Sequence, residues 1–226
     1  TFDWGIFFFY MSLAFVQFVS GVSASSDMTR YAKSARQGFS GMFLGNSAGY
    51  LMTALIGTLV ASSFHSTNPF VVLSEATTNT FIGLFITISG LLAMISINIG
   101  NAYTGGFSLL NTLPSLGRLR SALLFGIVGV ILSCFPSLST EAASIISILG
   151  AGIVPLSAII VVDYLWIKKM SISEELMMNV VLGSYKINLV AILTFAIMSI
   201  GYLIIPKEFS PGMIIFFSSS VVYLLL

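Results

Sequence analysis

Long apolar runs separated by short polar stretches recur along the whole chain. Each run is close to the roughly twenty residues that an α-helix needs to cross the hydrocarbon core of a bilayer. The runs predict seven transmembrane helices, over residues 4–26, 40–63, 81–113, 121–137, 142–167, 187–205 and 211–226. We therefore expect an all-α polytopic membrane protein.

The positive charges give these helices an orientation. Of the nine Lys and Arg residues, only Lys207 lies in the loops on one side, and the other eight lie on the opposite side. These eight are Arg30, Lys33, Arg36, Arg118, Arg120, Lys168, Lys169 and Lys186. Because loops rich in Lys and Arg stay in the cytoplasm, we predict that loops 27–39, 114–120 and 168–186 are cytoplasmic in a multi-pass protein of the plasma or inner cell membrane.

A polar, glycine-rich passage over residues 96–111 interrupts the third apolar run. Spacings of three and four residues put its polar and small side chains on one stripe of a helix. This stripe consists of Asn98, Asn101, Gly105, Ser108 and Thr112. An amide in hydrocarbon costs several kcal/mol unless it is hydrogen-bonded. Two explanations stay open: the stripe joins helices to one another, or it lines a ligand or ion site.

Small and polar residues also interrupt the first run, over residues 17–27. Gly21 weakens a helix, and the hydroxyl of Ser20 competes for backbone hydrogen bonds. We predict that the first helix is broken at residues 20–22, because broken membrane helices commonly form substrate and ion sites. The alternative is that the span ends near Val22 and the serines cap an ordinary helix.

The fifth run ends with an acidic residue next to aromatic and basic ones. Asp163 and Tyr164 come just before Trp166 and the pair Lys168 and Lys169. Aromatic and charged side chains of this kind anchor helices at the membrane interface. We therefore interpret Asp163 as a structural residue.

Composition narrows the function further. Hydrophobic residues make up 57% of the chain and charged residues 8%, against about 25% charged residues in a soluble domain. The net charge is +1 and there is no basic arm, so we expect no nucleic-acid partner. The single Cys134 and the lone His65 allow neither an internal disulfide nor a zinc site. The predicted spans carry no Ser/His/Asp set and no carboxylate pair, so we expect no enzyme and no cofactor.

Three stretches resemble the nucleobase–cation symporter family, in its purine and cytosine permease branch. The sixth and seventh helices of that family resemble FVSGVSASSDMTRYAKSARQGFSGMFLGNSAGYLM, its eighth helix resembles NIGNAYTGGFSLLN, and its tenth resembles GAGIVPLSAIIVVDYLWIKK. The stretches keep the family's order and cover about half of the chain. The resemblance implies a leucine-transporter-like fold, in which two inverted repeats of five helices enclose a site near the middle of the membrane.

The resemblance also implies which part of a transporter this is. The chain would hold the sixth to twelfth helices as a single transmembrane domain over residues 1–226. We expect it to be a piece of a longer protein whose N-terminal helices are missing here, because it begins with Thr1 directly before an apolar run. The implied activity is secondary active transport, that is, cation-coupled uptake of cytosine, a purine or a related heterocycle by alternating access.

The same resemblance implies substrate-binding residues in the first helix. In that family an aromatic ring of the sixth helix stacks on the base. Phe18 falls at this position, and Gln17 beside it can hydrogen-bond the edge of the ligand. We add Ser20 and Gly21, at the expected helix break, to the substrate-binding set.

The eighth-helix motif implies further substrate and cation ligands. Asn98 matches an Asn that contacts substrate or cation, and Asn101 falls where sodium-dependent relatives place a cation-coordinating hydroxyl. Tyr103 stands where some cytosine-specific members have Asn, so we count it as substrate-binding and leave the identity of the base open. Ile97 and Gly100 stand where the branch often shows Asn and Pro, so coupling to Na⁺ and coupling to H⁺ both stay open.

Two functions of different class follow. The first is a transporter whose partners are a small heterocyclic substrate, a coupling cation and the lipid bilayer. The second is a polytopic membrane protein that transports nothing and whose polar stripes only pack helices together. Uptake of radiolabelled nucleobases and related compounds by cells that carry the full-length gene discriminates between them.

Overall fold

The structure is a computed structural model and consists of helices joined by short connections. It describes residues 2–66, 68–135, 137–138, 141–184 and 187–226, and within the helices it describes the backbone alone of residues 23, 24, 26, 27, 176, 177, 180 and 181. Lys186, one of the eight basic residues used for the topology, and the side chain of Asp27 lie outside the described residues.

The α-helices follow the predicted apolar runs, with two short extra helices between them. They are α1 (Trp4–Thr29), α2 (Ala35–Phe64), α3 (Pro69–Ala76), α4 (Thr80–Thr112), α5 (Gly117–Ser133), α6 (Ala142–Val162), α7 (Glu174–Val181), α8 (Leu189–Ile204) and α9 (Pro211–Leu225). A π-helical turn, Asp163–Ile167, continues α6. All regular structure in the described residues is helical, which confirms the all-α prediction.

Five helical segments in the described part of the chain are long and apolar enough to cross a membrane. They are Trp4–Val22, Ala35–Phe64, Thr80–Thr112, Pro114–Ser133 and Ala142–Ile167. The last two predicted spans are also apolar helices, but α8 and α9 have only 16 and 15 residues. Five of the seven predicted spans therefore meet the length criterion, and the chain is a multi-pass membrane protein.

Side-chain caps fix where the long helices begin. The Asn79 side chain accepts hydrogen bonds from the backbone N–H groups of Phe81 and Ile82, at 2.9 and 3.3 Å. The Ser34 hydroxyl accepts one from the N–H of Gln37 at 3.3 Å. Such caps satisfy backbone donors that have no partner within the helix. As a result α2 and α4 each start before the apolar run on which their prediction rested.

The first helix corrects a prediction. The break expected at residues 20–22 is absent, because α1 is one continuous α-helix from Trp4 to Thr29. The Ser20 hydroxyl donates to the carbonyl of Gln17 at 2.7 Å, so it bonds within the helix and does not compete with it. Gly21 costs a helix only about 1 kcal/mol relative to Ala, and the neighbouring helical turns outweigh that cost.

The connections predicted to be cytoplasmic contain more helix than expected. The first connection is only residues 30–34, since α1 ends at Thr29 and α2 begins at Ala35. The second is a 3₁₀ turn, Pro114–Leu116, after which α5 begins at once. The third contains α7. Hydropathy marks only the membrane-embedded part of a helix, whereas caps and turns decide where the helix ends.

The chain divides into two compact units, and the boundary falls inside α1. The first unit comprises Thr1–Ser23 and Pro136–Leu226. In it α6 packs against α8 and α9, and these two pack against each other. The core of this unit consists of Val16, Ala151, Val154, Tyr202 and Ile215.

The second unit, Ala24–Phe135, is built around α4. This helix packs against α5 along its second half and against α3 along its first half. A β-carbon added to Gly106 would lie 2.8 Å from the Cα of Ala122, and one added to Gly90 would lie 2.8 Å from the ring of Phe70. Both distances are too short for a real contact, so glycine is what lets α4 approach these neighbours so closely.

Candidate functional site

The first group of predicted site residues lies on α1, within the first unit. It comprises Gln17, Phe18, Ser20 and Gly21, all of them exposed. The buried side of α1 is defined by Ser12 and Val16, one turn apart, which are 2% and 1% exposed. The Ser12 hydroxyl accepts a hydrogen bond from the backbone N–H of Gly212 at 2.8 Å. This side anchors α1 to α9 and leaves the predicted site residues uncovered within the unit.

The exposed part of α1 begins directly after Val16. Ser20 lies one turn beyond Val16 on the same side of the helix, yet it is exposed. Phe18 is 40% exposed. A β-carbon added to Gly21 would have nothing within 4 Å. Because residues three and four apart share a helix face, Gln17, Phe18 and Gly21 form one patch, in which an amide and a ring stand beside an open stretch of backbone.

The second group lies on α4, within the second unit. Asn98 and Asn101 are exposed and three residues apart, so their side chains share one face of the helix. Among the described residues, neither amide side chain makes a hydrogen bond. The nearby hydroxyl of Thr104 donates to the carbonyls of Gly100 and Asn101, at 3.1 and 3.3 Å. The interhelical bonds that a packing role requires are therefore not made in the described part of the chain.

Tyr103 lies on a different face of α4 from Asn98. At about 100° per residue, their separation of five residues corresponds to a rotation of about 140° around the helix. The ring of Tyr103 is 4.8 Å from that of Phe107. The guanidinium carbon of Arg118, at the start of α5, lies 4.9 Å from the Phe107 ring and 5.9 Å from the Tyr103 ring. The structure thus brings Tyr103 together with Arg118.

The polar stripe of α4 divides into two parts. Asn98 and Asn101 are exposed, whereas Gly105 is partly buried, and a β-carbon at Gly105 would overlap the ring of Phe125 on α5. Thr112 bonds within the helix, to the carbonyl of Ser108 at 3.0 Å. Gly105 therefore serves helix packing, and the ligand-site explanation now applies only to Asn98 and Asn101.

Asp163 makes the contacts of a structural anchor. Its carboxylate pairs with the Lys168 ammonium at 2.5 Å and accepts a hydrogen bond from the Tyr223 hydroxyl at 3.1 Å. The Asn188 amide donates to that hydroxyl at 2.9 Å, and its oxygen caps α8 by accepting from the N–H of Ala191 at 3.1 Å. One network therefore connects the ends of α6, α8 and α9.

The described residues offer oxygen ligands to a cation but no cluster typical of a transition-metal site. No group of three or more His, Cys, Asp or Glu side chains within them could hold a metal ion. The amide oxygens of Asn98 and Asn101 are the acceptors that a hard cation such as Na⁺ prefers.

Sequence reasoning missed one aromatic and basic cluster. It counted Arg30 and Arg118 only as topology charges, whereas the structure stacks each of them on a tyrosine ring. The signal for Arg118 was the one-turn spacing of Tyr103 and Phe107 on α4, followed eleven residues later by an arginine after a tight turn. A tight turn between two antiparallel helices brings the start of α5 back beside the rings of Tyr103 and Phe107.

Comparison with known proteins identifies a family. A family model described as a permease for cytosine/purines, uracil, thiamine and allantoin matches residues 4–222. Comparison with curated proteins and with solved structures gives no match. The matched residues include both the α1 group and the α4 group.

Proposed function

This chain belongs to the family of permeases for cytosine/purines, uracil, thiamine and allantoin, and we propose that it acts in cation-coupled uptake of a nucleobase or a related heterocycle. Transport proceeds by alternating access, in which one bundle of helices rocks against another around a site near the middle of the membrane. We place the chain in the purine and cytosine permease branch, as its sixth to twelfth helices. The proposed fold is leucine-transporter-like.

One observation carries this proposal. Asn98 and Asn101 are exposed in the middle of the apolar helix α4, and their amides make no hydrogen bond to another described residue. Burying an amide in an apolar environment costs several kcal/mol unless it is hydrogen-bonded. A transported solute and its coupling ion supply the missing partners, and they explain why two amides occupy one face of a membrane helix.

The α1 group is a second set of proposed substrate contacts, within the first unit. A flat heteroaromatic ligand stacks on the Phe18 ring, and the Gln17 amide offers both a donor and an acceptor to the ligand edge. Since α1 is continuous, Ser20 and Gly21 contribute an open helix surface on which the ligand can lie close to the backbone. On α4, within the second unit, we propose Tyr103 as a further substrate contact.

The proposed coupling ion is Na⁺ or H⁺. For Na⁺, the side-chain oxygens of Asn98 and Asn101 act as hard ligands, and backbone carbonyls complete the shell. For H⁺, the driving force is the proton gradient, and the two asparagines bind the substrate alone. The dependence of uptake on external sodium separates the two ions.

The proposed topology has seven spans, with α8 and α9 as the sixth and seventh. The connections within 27–39, 114–120 and 168–186 face the cytoplasm of the plasma or inner membrane. Support comes from the charge asymmetry, because eight of nine basic residues fall on one side.

The decisive test is uptake by cells that express the complete gene. Radiolabelled cytosine, adenine, hypoxanthine, allantoin and thiamine are supplied separately, with and without sodium and with and without a protonophore. We expect saturable uptake of at least one compound, abolished by removal of the coupling gradient. If the protein reaches the membrane and yet none of the five is taken up above the empty-vector level, the proposal is wrong.

A further inference from the structure

The first turn of α9 takes a hydrogen-bond partner from another helix. This helix begins at Pro211, and the side chain of Ser210 before it makes no capping hydrogen bond. Ser210 has a φ of 55°, whereas a residue that caps a helix with its own side chain has an extended backbone. The backbone N–H of Gly212, a first-turn donor without a partner inside the helix, instead donates to the Ser12 hydroxyl at 2.8 Å. Ser12 on α1 therefore caps α9 across the helix interface.

The contact between α1 and α9 is tight and enclosed within the first unit. Ser12 is 2% exposed and Gly212 is buried. A β-carbon added to Gly212 would lie 2.8 Å from the Ser12 hydroxyl oxygen and 3.3 Å from a methyl carbon of Val16. The first distance is too short for a real contact, so glycine at position 212 is what lets the two helices meet here.

The helices α6 and α8 hold the same stretch of α1. The Tyr202 hydroxyl hydrogen-bonds with the side chains of Ser12 and Ser147, and Tyr202 is 3% exposed. A β-carbon added to Gly150 would overlap that hydroxyl and lie 3.0 Å from Val16. A buried hydroxyl that loses its partner is costly, so these contacts fix the rotation of α1 and its height against the other helices. This set, the α1 seat, consists of Ser12, Ser147, Gly150, Tyr202 and Gly212.

We propose that the α1 seat positions the substrate-binding patch of α1. Gln17 and Phe18 are exposed and directly follow Val16, which is 1% exposed. Six residues, or about 9 Å of continuous helix, separate Ser12 from Phe18, so a rotation or shift of α1 at Ser12 moves the Phe18 ring and the Gln17 amide with it. The inference rests on the proposed function, and it makes Ser12 a positioning residue that acts through α1 without touching the substrate.

The first measurement follows the position of α1 without a ligand. The complete protein carries Val16→Cys in a background in which the native cysteines, Cys134 included, are replaced by serine, and it is labelled in detergent with N-ethylmaleimide. A buried thiol reacts slowly, so we expect slow labelling while Ser12 is present. In Ser12→Ala, labelling should be at least about fivefold faster, the factor that corresponds to the loss of one hydrogen bond.

Ser220→Ala is the matched control. It also removes a serine hydroxyl from the interface helices, but the Ser220 hydroxyl bonds within α9, to the carbonyl of Phe216 at 2.8 Å. The labelling rate at position 16 should therefore stay within about twofold of the rate without this change.

The second measurement separates positioning from stability. The substrate identified by the uptake assay is titrated into Ser12→Ala and Ser220→Ala, with Val16 restored, well below their melting temperatures. A seat that only stabilises the fold lowers the melting temperature and leaves the affinity of the folded protein unchanged. A seat that positions Phe18 lowers the affinity about fivefold in Ser12→Ala, because α1 must return to its place before the ligand binds. The affinity of Ser220→Ala should stay within about twofold.

Gly212→Ala tests the α1 seat from the side of α9 and serves in place of Ser12→Ala if that variant is not monodisperse. Its new methyl group meets the Ser12 oxygen, so labelling should become faster and the affinity should fall. The double variant Ser12→Ala/Gly212→Ala lacks the conflicting oxygen, so the two losses should not add. Additive losses in both measurements would show that the two residues act separately and would overturn the proposal.

The two measurements together decide the proposal. Faster labelling and lower affinity in Ser12→Ala, with neither change in Ser220→Ala, support it. Unchanged labelling in Ser12→Ala would overturn it, because Ser12 would not hold α1, and so would faster labelling with unchanged affinity, because the position of α1 would not serve the substrate. If no substrate is taken up, the transport proposal fails by the uptake assay alone, whereas the labelling rates still decide whether Ser12 seats α1.

Discussion

Phe18 provides an aromatic ring for stacking in the proposed substrate site. In the purified complete transporter, Phe18→Ala removes ring stacking and apolar burial, and we expect a loss of about 2 to 3 kcal/mol, or about 30- to 150-fold in affinity. Titration of the ligand into the unchanged protein and into Phe18→Ala measures this loss of affinity. Phe7→Ala is the control, since Phe7 is an aromatic residue of α1 with a similar exposure of 44% and lies outside the proposed site. Equal losses in the two variants would remove Phe18 from the site.

Asn98 separates the transport and packing explanations. If its amide binds the substrate or the ion, Asn98→Ala should weaken ligand binding by about 1 to 3 kcal/mol and leave the melting temperature unchanged. Titrations with and without sodium show which partner is lost. Asn111→Ala, at the far end of the same helix, should change neither quantity. A lower melting temperature with unchanged affinity in Asn98→Ala would favour packing.

Gly106 is required for the close approach of α4 and α5. In Gly106→Ala the new methyl group meets the backbone of Ala122, 2.8 Å from its Cα, and overpacking of this kind costs about 1 to 3 kcal/mol. Gly126→Ala is the control, because the same change there meets nothing within 4 Å and removes a weak helix former. The melting temperature in detergent should fall in Gly106→Ala and should stay the same or rise in Gly126→Ala.

For single residues, the sequence predicted which side chains share a helix face, and it missed the contacts that depend on tertiary structure. The shared face of Asn98 and Asn101 follows from their spacing alone. The division of the stripe at Gly105 depends on where α5 lies, and the stacking of Arg118 depends on a chain reversal at residues 113–117. Neither is encoded in the periodicity of one helix.

Among the helices, α1 shows why a local signal can mislead. Ser20 and Gly21 are poor helix formers, but propensity differences of about 1 kcal/mol or less per residue are small beside the cooperativity of a 26-residue helix. The same residues are exposed and the helix does not end at them, so another reason is needed for small and polar residues at these positions. We attribute it to the ligand surface proposed for α1.

The network at the ends of α6, α8 and α9 gives an element-scale prediction. Tyr223→Phe removes the hydroxyl that donates to Asp163 and accepts from Asn188. We expect the free energy of unfolding to fall by about 1 to 2 kcal/mol, because hydrogen bonds to charged groups are the stronger ones but this one is partly exposed. Thermal unfolding of the purified protein measures the loss.

Tyr164→Phe is the matched control for this network. Its hydroxyl makes only a long bond of 3.4 Å, to the carbonyl of Met170, in an exposed setting. The free energy of unfolding of this variant should stay within about 0.5 kcal/mol of that of the unchanged protein, because exposed substitutions usually have effects of this size. If Tyr164→Phe destabilises as much as Tyr223→Phe, the network is not what joins the three helices.

For the whole molecule, the orientation in the membrane is the prediction with the widest reach. In a Cys134→Ser background, single cysteines at Ser66 and Ser173 should react with a membrane-impermeant thiol reagent from opposite sides. We expect Ser66→Cys to react in intact cells and Ser173→Cys only after permeabilisation, since the loop after α6 holds Lys168 and Lys169. Reaction of Ser173→Cys in intact cells would invert the topology.

The sequence predicted the number and order of the apolar helices well, because the bilayer imposes a length and a composition that hydropathy detects. It did not predict α3 and α7, which lie between the apolar runs, or the division of α1 between two compact units. The two short helices lie outside the long apolar runs that hydropathy detects, and the division of α1 depends on contacts between segments that are distant in the chain.

The short helix α8 also bears on the choice of lipid. At about 1.5 Å per residue, its 16 residues rise only about 24 Å, whereas the hydrocarbon core is about 30 Å thick. If this helix crosses the membrane, the difference is met by local thinning of the bilayer or by flanking side chains that reach to the interface, at a cost of fractions of a kcal/mol for each ångström. Lipids with short acyl chains would lower that cost, so the thickness of the host membrane would itself become a variable in the stability of α8.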